Sequence, residues 1–319
     1  MAAPAPLAAP RLDPAKFRDP WTTAKGEPRA EVALKSLDTL WFNTGTLCNL
    51  TCRNCYIESS PRNDRLVYLT AAEVRAYLDE IDRDGLPTRL IGFTGGEPFM
   101  NPALPAMLED VLGRGLEAMV LTNAMKPMHK MKPALLALRA RHGDRLTIRV
   151  SLDHYGAALH EAERGTRTWR PTLDGLVWLA RNGFNVHVAG RRFSGEPEDA
   201  LRDGYARLFA DNGVPIDAHD PVALVVFPEM DANVDVPEIT VACWGILHKS
   251  PDSVMCASSR MVIKRRDAEH PAVVACTLLP YDAQFELGRT LADASGAVRL
   301  NHPHCAKFCV LGGAACSRS

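Results

Sequence analysis

The sequence lacks several features that would place it in a specialised class of protein. No apolar run approaches the roughly 18–20 residues that span a bilayer. The formal net charge is −1, which leaves no excess of basic side chains for phosphate neutralisation. We therefore expect neither nucleic-acid nor membrane partners. The Ala/Pro-rich start has no basic region followed by an apolar core, so we expect no signal peptide and a cytoplasmic protein with a disordered tail over residues 1–34.

Cysteine is absent from the middle of the chain, between Cys55 and Cys243. A protein that used cysteine as a small core residue would scatter it along the sequence. The odd number and the grouping favour metal or cluster ligation in a reducing compartment over disulfides. The nine cysteines are Cys48, Cys52, Cys55, Cys243, Cys256, Cys276, Cys305, Cys309 and Cys316.

Short apolar segments alternate with amphipathic helices from about residue 38 to residue 227, the pattern of an α/β protein with a parallel sheet. The capping box Thr70-Ala-Ala-Glu73 predicts the start of the first helix, and Asn101-Pro102 predicts the start of the second. Three more helices are predicted over residues 133–142, 172–182 and 197–211. This pattern allows an open (β/α)6 barrel or a doubly wound sheet. The predicted strands are Thr39–Thr44, Leu90–Phe93, Ala118–Leu121, Leu146–Leu152, Asn185–Ala189 and Val222–Phe227.

The alternation stops after Phe227, and this change predicts the domain boundaries. Residues 35–230 form the predicted core domain, and residues 231–319 form a cysteine-rich extension. The extension has little periodic apolar sequence, so we expect its fold to depend on bound metal or a cluster instead of a core of its own.

A loop with three cysteines follows the first predicted strand, in Cys48-Asn-Leu-Thr-Cys52-Arg-Asn-Cys55. Three thiolates can hold three irons of a [4Fe–4S] cube and leave the fourth iron free to bind a small molecule. A structural zinc site or three buried thiols are the alternatives. Zinc would need a fourth ligand nearby to close its site, and the sequence offers none close by.

A second motif, Thr94-Gly95-Gly96-Glu97-Pro98, follows the second predicted strand. Paired glycines allow close approach to the backbone, and Glu97 offers a carboxylate. By itself the motif is compatible with a simple strand-to-helix turn. Together with the cysteine loop it resembles the radical S-adenosylmethionine (SAM) superfamily, over roughly Asp38 to Phe227.

This resemblance implies a partial (β/α)6 barrel, a [4Fe–4S] cluster on the three cysteines, and SAM bound to the open iron. One electron would cleave SAM to methionine and a 5′-deoxyadenosyl radical, which abstracts a substrate hydrogen. The sequence departs from the family at Asn54, where many members have an aromatic residue near the adenine. The residues implied to bind SAM are Gly95, Gly96 and Glu97 for the amino group, Thr122, Asn123, Ser151 and Asp153 at strand ends, and Arg191 or Arg192 for the carboxylate.

The extension resembles, more loosely, the SPASM and twitch domains of the same superfamily, which hold auxiliary clusters. The resemblance favours one auxiliary [4Fe–4S] cluster, or two if their ligation is incomplete, with ligands among Cys243, Cys256, Cys276, Cys305, Cys309 and Cys316. The spacing from Cys305 to Cys316 departs from the usual tail of these domains. A structural zinc knot and inert thiols are the alternatives.

Two functions of different classes remain open at this stage. The first is a radical SAM enzyme that carries out a net oxidation or bond-forming step on a small molecule or a peptide, with an external electron donor such as flavodoxin or ferredoxin. The second is a non-catalytic iron–sulfur or zinc protein that retains the barrel. Cleavage of SAM distinguishes the two.

Overall fold

One sheet of nine strands organises the computed structural model, which describes residues 10–313. All six predicted strands are present in it, with ends that differ from the prediction by at most three residues. Strands β2 to β10 form this sheet, and β1 and β11 form a separate pair. The strands are β1 Glu31–Val32, β2 Thr39–Asn43, β3 Leu90–Thr94, β4 Glu117–Thr122, β5 Leu146–Ser151, β6 Asn185–Arg192, β7 Leu224–Pro228, β8 Ser259–Ile263, β9 Ala272–Val274, β10 Glu286–Gly288 and β11 Val298–Arg299.

The order of the strands decides between the two architectures that the sequence allowed. Strands β2 to β7 are parallel and lie side by side in the order of the sequence. A doubly wound sheet would reverse this order at a switch point, whereas a barrel keeps it. The architecture is therefore a partial (β/α)6 barrel, mixed α/β in class, as the resemblance implied.

The register of the parallel strands brings their carboxyl ends to one edge. Asn43 at the end of β2 pairs with Thr94 at the end of β3, and Ser151 at the end of β5 pairs with Ala189 of β6. The two sequence motifs follow β2 and β3, so both lie at this edge. Functional groups of barrel proteins collect at the same place.

The helices cover the sheet through the apolar faces that the sequence predicts. The capping box is confirmed, because the Thr70 hydroxyl accepts from the Glu73 N–H and the Glu73 carboxylate accepts from the Thr70 N–H. The second predicted helix begins later, at Leu104, since the Asn101 side chain caps a preceding turn by accepting from the Ala103 N–H at 2.9 Å. Within residues 10–313 no helix is long and apolar enough to cross a bilayer. The helices are α1 Ala71–Asp84, α2 Leu104–Gly113, α3 Lys126–Lys130, α4 Lys132–His142, α5 Ala157–Arg164, α6 Trp169–Arg181, α7 Glu198–Asn212 and α8 Cys243–Ile246.

The cysteine-rich extension continues the sheet of the barrel. Strand β8 pairs in parallel with β2, and β9 and β10 follow it in antiparallel pairs. Its apolar side chains form a second buried cluster with Trp41 of β2, among them Met261, Ile263, Phe285 and Phe308. The scattered apolar residues of the extension are therefore buried in a core that it shares with the barrel. The dependence of its fold on bound metal stays a prediction.

The predicted disordered tail is ordered over residues 10–34, and residues 1–9 lie outside the described part of the chain. Strand β1 pairs with β11 of the extension, and Val32 is fully buried. Arg29 donates to Glu238 at 2.6 Å with both side chains buried. The prediction failed because long-range strand pairing and ion pairs anchor a segment whose local composition looks unstructured.

Candidate functional site

A solvent-connected cleft of about 1100 Å³ lies at the carboxyl edge of the sheet. Nearly all residues that the sequence assigned to SAM or to the first cluster line it. Glu97 and Arg192 are the exceptions. The residues from the prediction that line the cleft are Cys48, Cys52, Cys55, Gly95, Gly96, Thr122, Asn123, Ser151, Asp153 and Arg191.

The three-cysteine loop forms one side of the cleft. The Leu50 N–H donates to the Cys48 sulfur at 3.4 Å, and the Ser59 N–H donates to the Cys55 sulfur at 3.3 Å. Burial raises the pKa of the Cys48 thiol to about 12. A metal centre bound here would deprotonate this thiol, because metals bind cysteine as the thiolate.

The paired glycines lie against the backbone of this loop. Gly96 donates its N–H to the Gly45 carbonyl at 2.7 Å, and a Cβ atom at Gly96 would collide with the Leu47 carbonyl. Gly95 has a φ of +138°, a conformation that favours glycine. The two glycines therefore allow the loop that carries the cysteines to pack closely against them.

Glu97 lies beneath the cleft and does not line it, with 1% of its surface exposed. One carboxylate oxygen accepts from the Thr122 hydroxyl at 2.7 Å and the other accepts from the Asn123 N–H at 2.9 Å. The Phe99 N–H donates to it at 3.2 Å. Burial raises the pKa of Glu97 to about 7. In this arrangement the side chain joins the ends of β3 and β4.

Asn123 connects the end of β4 to the cysteine loop. Its side-chain amide donates to the Asn49 side chain at 2.9 Å and lies 4.0 Å from the Cys48 sulfur. Its backbone carbonyl accepts from the Thr172 hydroxyl at 3.1 Å. Asn123 thus holds the cysteine loop against the edge of the sheet, and Glu97 supports Asn123 from beneath.

Arg164 is a cleft residue that the sequence reasoning missed. It lies at the end of α5 and donates two hydrogen bonds to Asp153, at 2.8 and 2.9 Å. Burial acts to lower the pKa of Arg164, but the Asp153 carboxylate and the Cys52 thiol outweigh it and raise the pKa. Arg164 was missed because α5 was not predicted: this helix is short and begins without a side-chain cap.

Arg191 lines the cleft, whereas Arg192 does not. The Arg191 guanidinium donates to Glu163 at 2.9 Å and pairs with Glu229. Asn54 donates to the same Glu163 oxygen at 2.8 Å, so the residue that replaces the usual aromatic joins the cysteine loop to α5. Arg191 thus forms ion pairs with two carboxylates, whereas Arg164 forms one, with Asp153.

Part of the lining of the cleft is apolar. Phe227 and Met230 come from the end of the barrel, and Leu278 and Phe308 come from the extension. The extension therefore completes the cleft.

Four cysteines of the extension line a second, smaller cavity. They are Cys256, Cys276, Cys305 and Cys309. Leu278 lines both this cavity and the large cleft. Burial raises the pKa of Cys256 to about 11. The four thiols thus meet in space although the sequence separates them by up to 53 residues.

The two other predicted ligands of the extension differ from these four. Cys243 does not line the cavity, and its sulfur accepts from the Thr240 N–H at 3.3 Å at the start of α8. Cys316 lies outside the described residues.

The thiols that line cavities lie in two groups, one at each cavity. Among the side chains of residues 10–313, no three of His, Cys, Asp or Glu form a group that could hold one metal ion. Structural zinc needs four ligands around one point, whereas each thiolate of a [4Fe–4S] cube binds a different iron. Three thiols on the first loop and four around the second cavity fit two such clusters.

Comparison with protein families matches residues 42–202, half of the chain, to the Radical SAM superfamily. Among curated proteins, the subtilosin biosynthesis protein AlbA of Bacillus subtilis is 29% identical over 143 residues, which are 44% of this chain and 30% of AlbA. The mycofactocin maturase MftC of Mycobacterium tuberculosis is 25% identical over 137 residues, 43% of this chain and 33% of MftC. The matched region thus spans about a third of the length of these relatives.

Two solved structures share the fold. SuiB of Streptococcus suis, bound to SAM, superposes with a TM-score of 0.57 at 12% identity and covers 80% of this chain and 63% of SuiB. The anSMEcpe structure with bound SAM has a TM-score of 0.57 at 13% identity and covers 80% of this chain and 79% of its own. Radical SAM proteins carry a [4Fe–4S] cluster and bind SAM, and the three-cysteine loop and its cleft fit both. The chain belongs to the Radical SAM superfamily.

Proposed function

We propose that the protein is an enzyme that cleaves SAM reductively and removes a hydrogen atom from a substrate held in the large cleft. The observation that carries this proposal is the placement of three cysteines, a glycine-rich turn and a buried arginine–carboxylate pair around one cleft. When bound, the cluster and SAM supply an electron and a 5′-deoxyadenosyl radical. The chain supplies ligands, orientation and exclusion of water.

Cys48, Cys52 and Cys55 hold the cluster in this proposal. Arg164 takes the carboxylate of SAM, because its guanidinium has five N–H donors and Asp153 uses two of them. Ser151 and Asp153, which line the cleft, contact the ribose in this proposal. The backbone of Gly95 and Gly96 faces the amino group.

Glu97 acts as a positioning residue in this proposal. It holds the Thr122 hydroxyl and the Asn123 N–H beneath the cleft, and Asn123 in turn holds the cysteine loop. Its effect on SAM therefore passes through these neighbours, and a direct contact with the amino group is not required.

Cys256, Cys276, Cys305 and Cys309 hold an auxiliary [4Fe–4S] cluster that accepts the electron left on the substrate after hydrogen abstraction. Leu278 lies between the two sites and contacts both cavities, which supports a short path for that electron. The predicted domain boundaries, 35–230 and 231–319, describe these two functional halves.

The substrate that we propose is a peptide, with an apolar side chain against Phe227, Met230, Leu278 and Phe308. The names of the relatives support this choice, since one is a bacteriocin biosynthesis protein, another is a maturase, and SuiB has been solved with its precursor peptide SuiA. An external donor such as flavodoxin or ferredoxin supplies the first electron in the cytoplasm.

The test is anaerobic reconstitution followed by reduction with dithionite in the presence of SAM. We expect 5′-deoxyadenosine from the wild-type chain and none from the chain with Cys48, Cys52 and Cys55 all replaced by Ala, which should still retain iron in the extension. The Cys243→Ala chain is the matched control and should keep its activity. No 5′-deoxyadenosine from iron-loaded wild-type protein would favour a non-catalytic iron–sulfur protein instead.

A further inference from the structure

Arg260, the second residue of β8, is a buried cation next to the four-cysteine cavity. Only 1% of its surface is exposed. Its guanidinium donates to the carbonyls of Ala294 at 2.8 Å and Gly296 at 2.9 Å. It also donates to the carbonyls of Cys256 at 2.6 Å and Ser259 at 2.8 Å. All four acceptors are neutral.

Arg260 differs in this respect from two other arginines of the chain. Arg29 pairs with Glu238, and Arg164 pairs with Asp153. No carboxylate within residues 10–313 forms an ion pair with Arg260. Cys256, whose carbonyl accepts from the Arg260 guanidinium, lines the four-cysteine cavity. A buried charge is costly unless a partner compensates it, so this arginine needs an anion at the cavity.

We propose that Arg260 is the fixed counter-charge of the auxiliary cluster and makes that cluster a better electron acceptor. The inference rests on the proposed function of the extension. A [4Fe–4S] centre with four thiolates carries a net negative charge, which increases by one on reduction. A nearby cation therefore stabilises the reduced form more than the oxidised form and raises the reduction potential.

A purely structural role is the competing explanation, because the four hydrogen bonds of Arg260 also fix Cys256 and the turn at residues 294–296. Substitution of Arg260 by Lys and by Gln distinguishes the counter-charge role from the structural role. Both lose the forked donor geometry of arginine, but only Lys keeps the positive charge.

The experiment uses the full chain with Cys48, Cys52 and Cys55 replaced by Ala, so that only the auxiliary cluster titrates. The reduction potential is followed by electron paramagnetic resonance, and iron is counted in the same samples. We expect Arg260→Gln to lower the equilibrium constant for reduction at least tenfold, which is about 59 mV for one electron. Arg260→Lys should retain most of the parent potential.

Arg265→Gln is the matched control, because it removes the same charge just beyond the end of β8 from a side chain that is 32% exposed and paired with Glu286. Solvent screens this charge, so the potential should not change. If the Arg260→Gln variant assembles no cluster but the Arg260→Lys variant does, this result also shows that the cluster requires the positive charge. Equal potentials in the Lys and Gln variants, or loss of the cluster from both, would overturn the counter-charge role. A parent chain without a cluster would instead overturn the proposed function of the extension, and the counter-charge role with it.

Discussion

The carboxylate of Glu97 accepts a hydrogen bond from the hydroxyl of Thr122 at 2.7 Å, which ties the end of β3 to the end of β4 beneath the cleft. Each oxygen of this carboxylate also accepts a backbone N–H, from Phe99 and from Asn123. A glutamine has only one acceptor oxygen, so in either orientation one of these N–H groups would face an NH2 group.

Glu97→Gln should therefore destabilise the fold by about 1–3 kcal/mol, the cost of leaving a buried donor unsatisfied. Binding of SAM should weaken as well, because Asn123 loses its support. Thermal unfolding above pH 8 and calorimetric titration with SAM measure the two effects. An unchanged melting temperature would contradict the positioning role.

The pH dependence of stability should contain a contribution from the same group. Burial raises the pKa of Glu97 from 4.5 to about 7, so the folded protein binds this proton more tightly than the unfolded chain does. The contribution to stability is complete below about pH 4.5 and is lost as the pH rises to about 7. At 1.36 kcal/mol per unit it reaches at most about 3 kcal/mol. As the pH falls from about 8 to 5.5, the stability of the wild type should therefore rise relative to that of Glu97→Gln. A stability difference that does not change with pH would contradict the raised pKa of Glu97.

Arg164→Gln should weaken SAM binding about tenfold to a hundredfold, since a charge-assisted hydrogen bond contributes about 1.5–3 kcal/mol. Arg192→Gln is the control, because Arg192 does not line the cleft and half of its side chain is exposed. Calorimetric titration of the cluster-loaded protein with SAM measures both. If Arg191→Gln, and not Arg164→Gln, abolished binding, the carboxylate contact would lie on Arg191 as the sequence predicted.

Gly96→Ala should lower the iron content of the first site. The added Cβ atom would collide with the Leu47 carbonyl, so the loop that carries Cys48 would have to move. Gly113→Ala serves as the control, because a Cβ atom at this α2 position meets nothing within 4 Å and alanine favours the helix. Iron analysis after reconstitution should separate the two variants, and full iron in Gly96→Ala would contradict the close packing of the loop.

Replacement of any one of the four cysteines at the second cavity by Ala should disturb the auxiliary cluster, whereas Cys243→Ala should not. Wild-type protein should bind about eight irons, four for each cluster. Cys276→Ala should still cleave SAM but fail to release oxidised product. Four irons with one zinc in the wild type would remove the electron-acceptor role from the extension.

Local signals in the sequence determined much of this protein. The capping box Thr70–Glu73, the alternation of apolar strands and helices, and the close spacing of Cys48, Cys52 and Cys55 act over a few residues, so each could be interpreted without knowledge of the rest of the chain. The local apolar segments also predicted where the strands end, and the site forms at the edge of the sheet where these ends lie.

Only the tertiary structure decided the features that depend on distant partners. The sequential strand order is a property of the whole sheet, and the anchoring of residues 10–34 requires β11 and Glu238. The burial of Glu97 beneath the cleft depends on β4, and the place of Arg164 depends on a helix without a strong cap. The four cysteines of the second cavity come from three separate segments, and only the fold shows that these four meet there without Cys243. Such contacts form by packing between elements, which sequence periodicity does not encode.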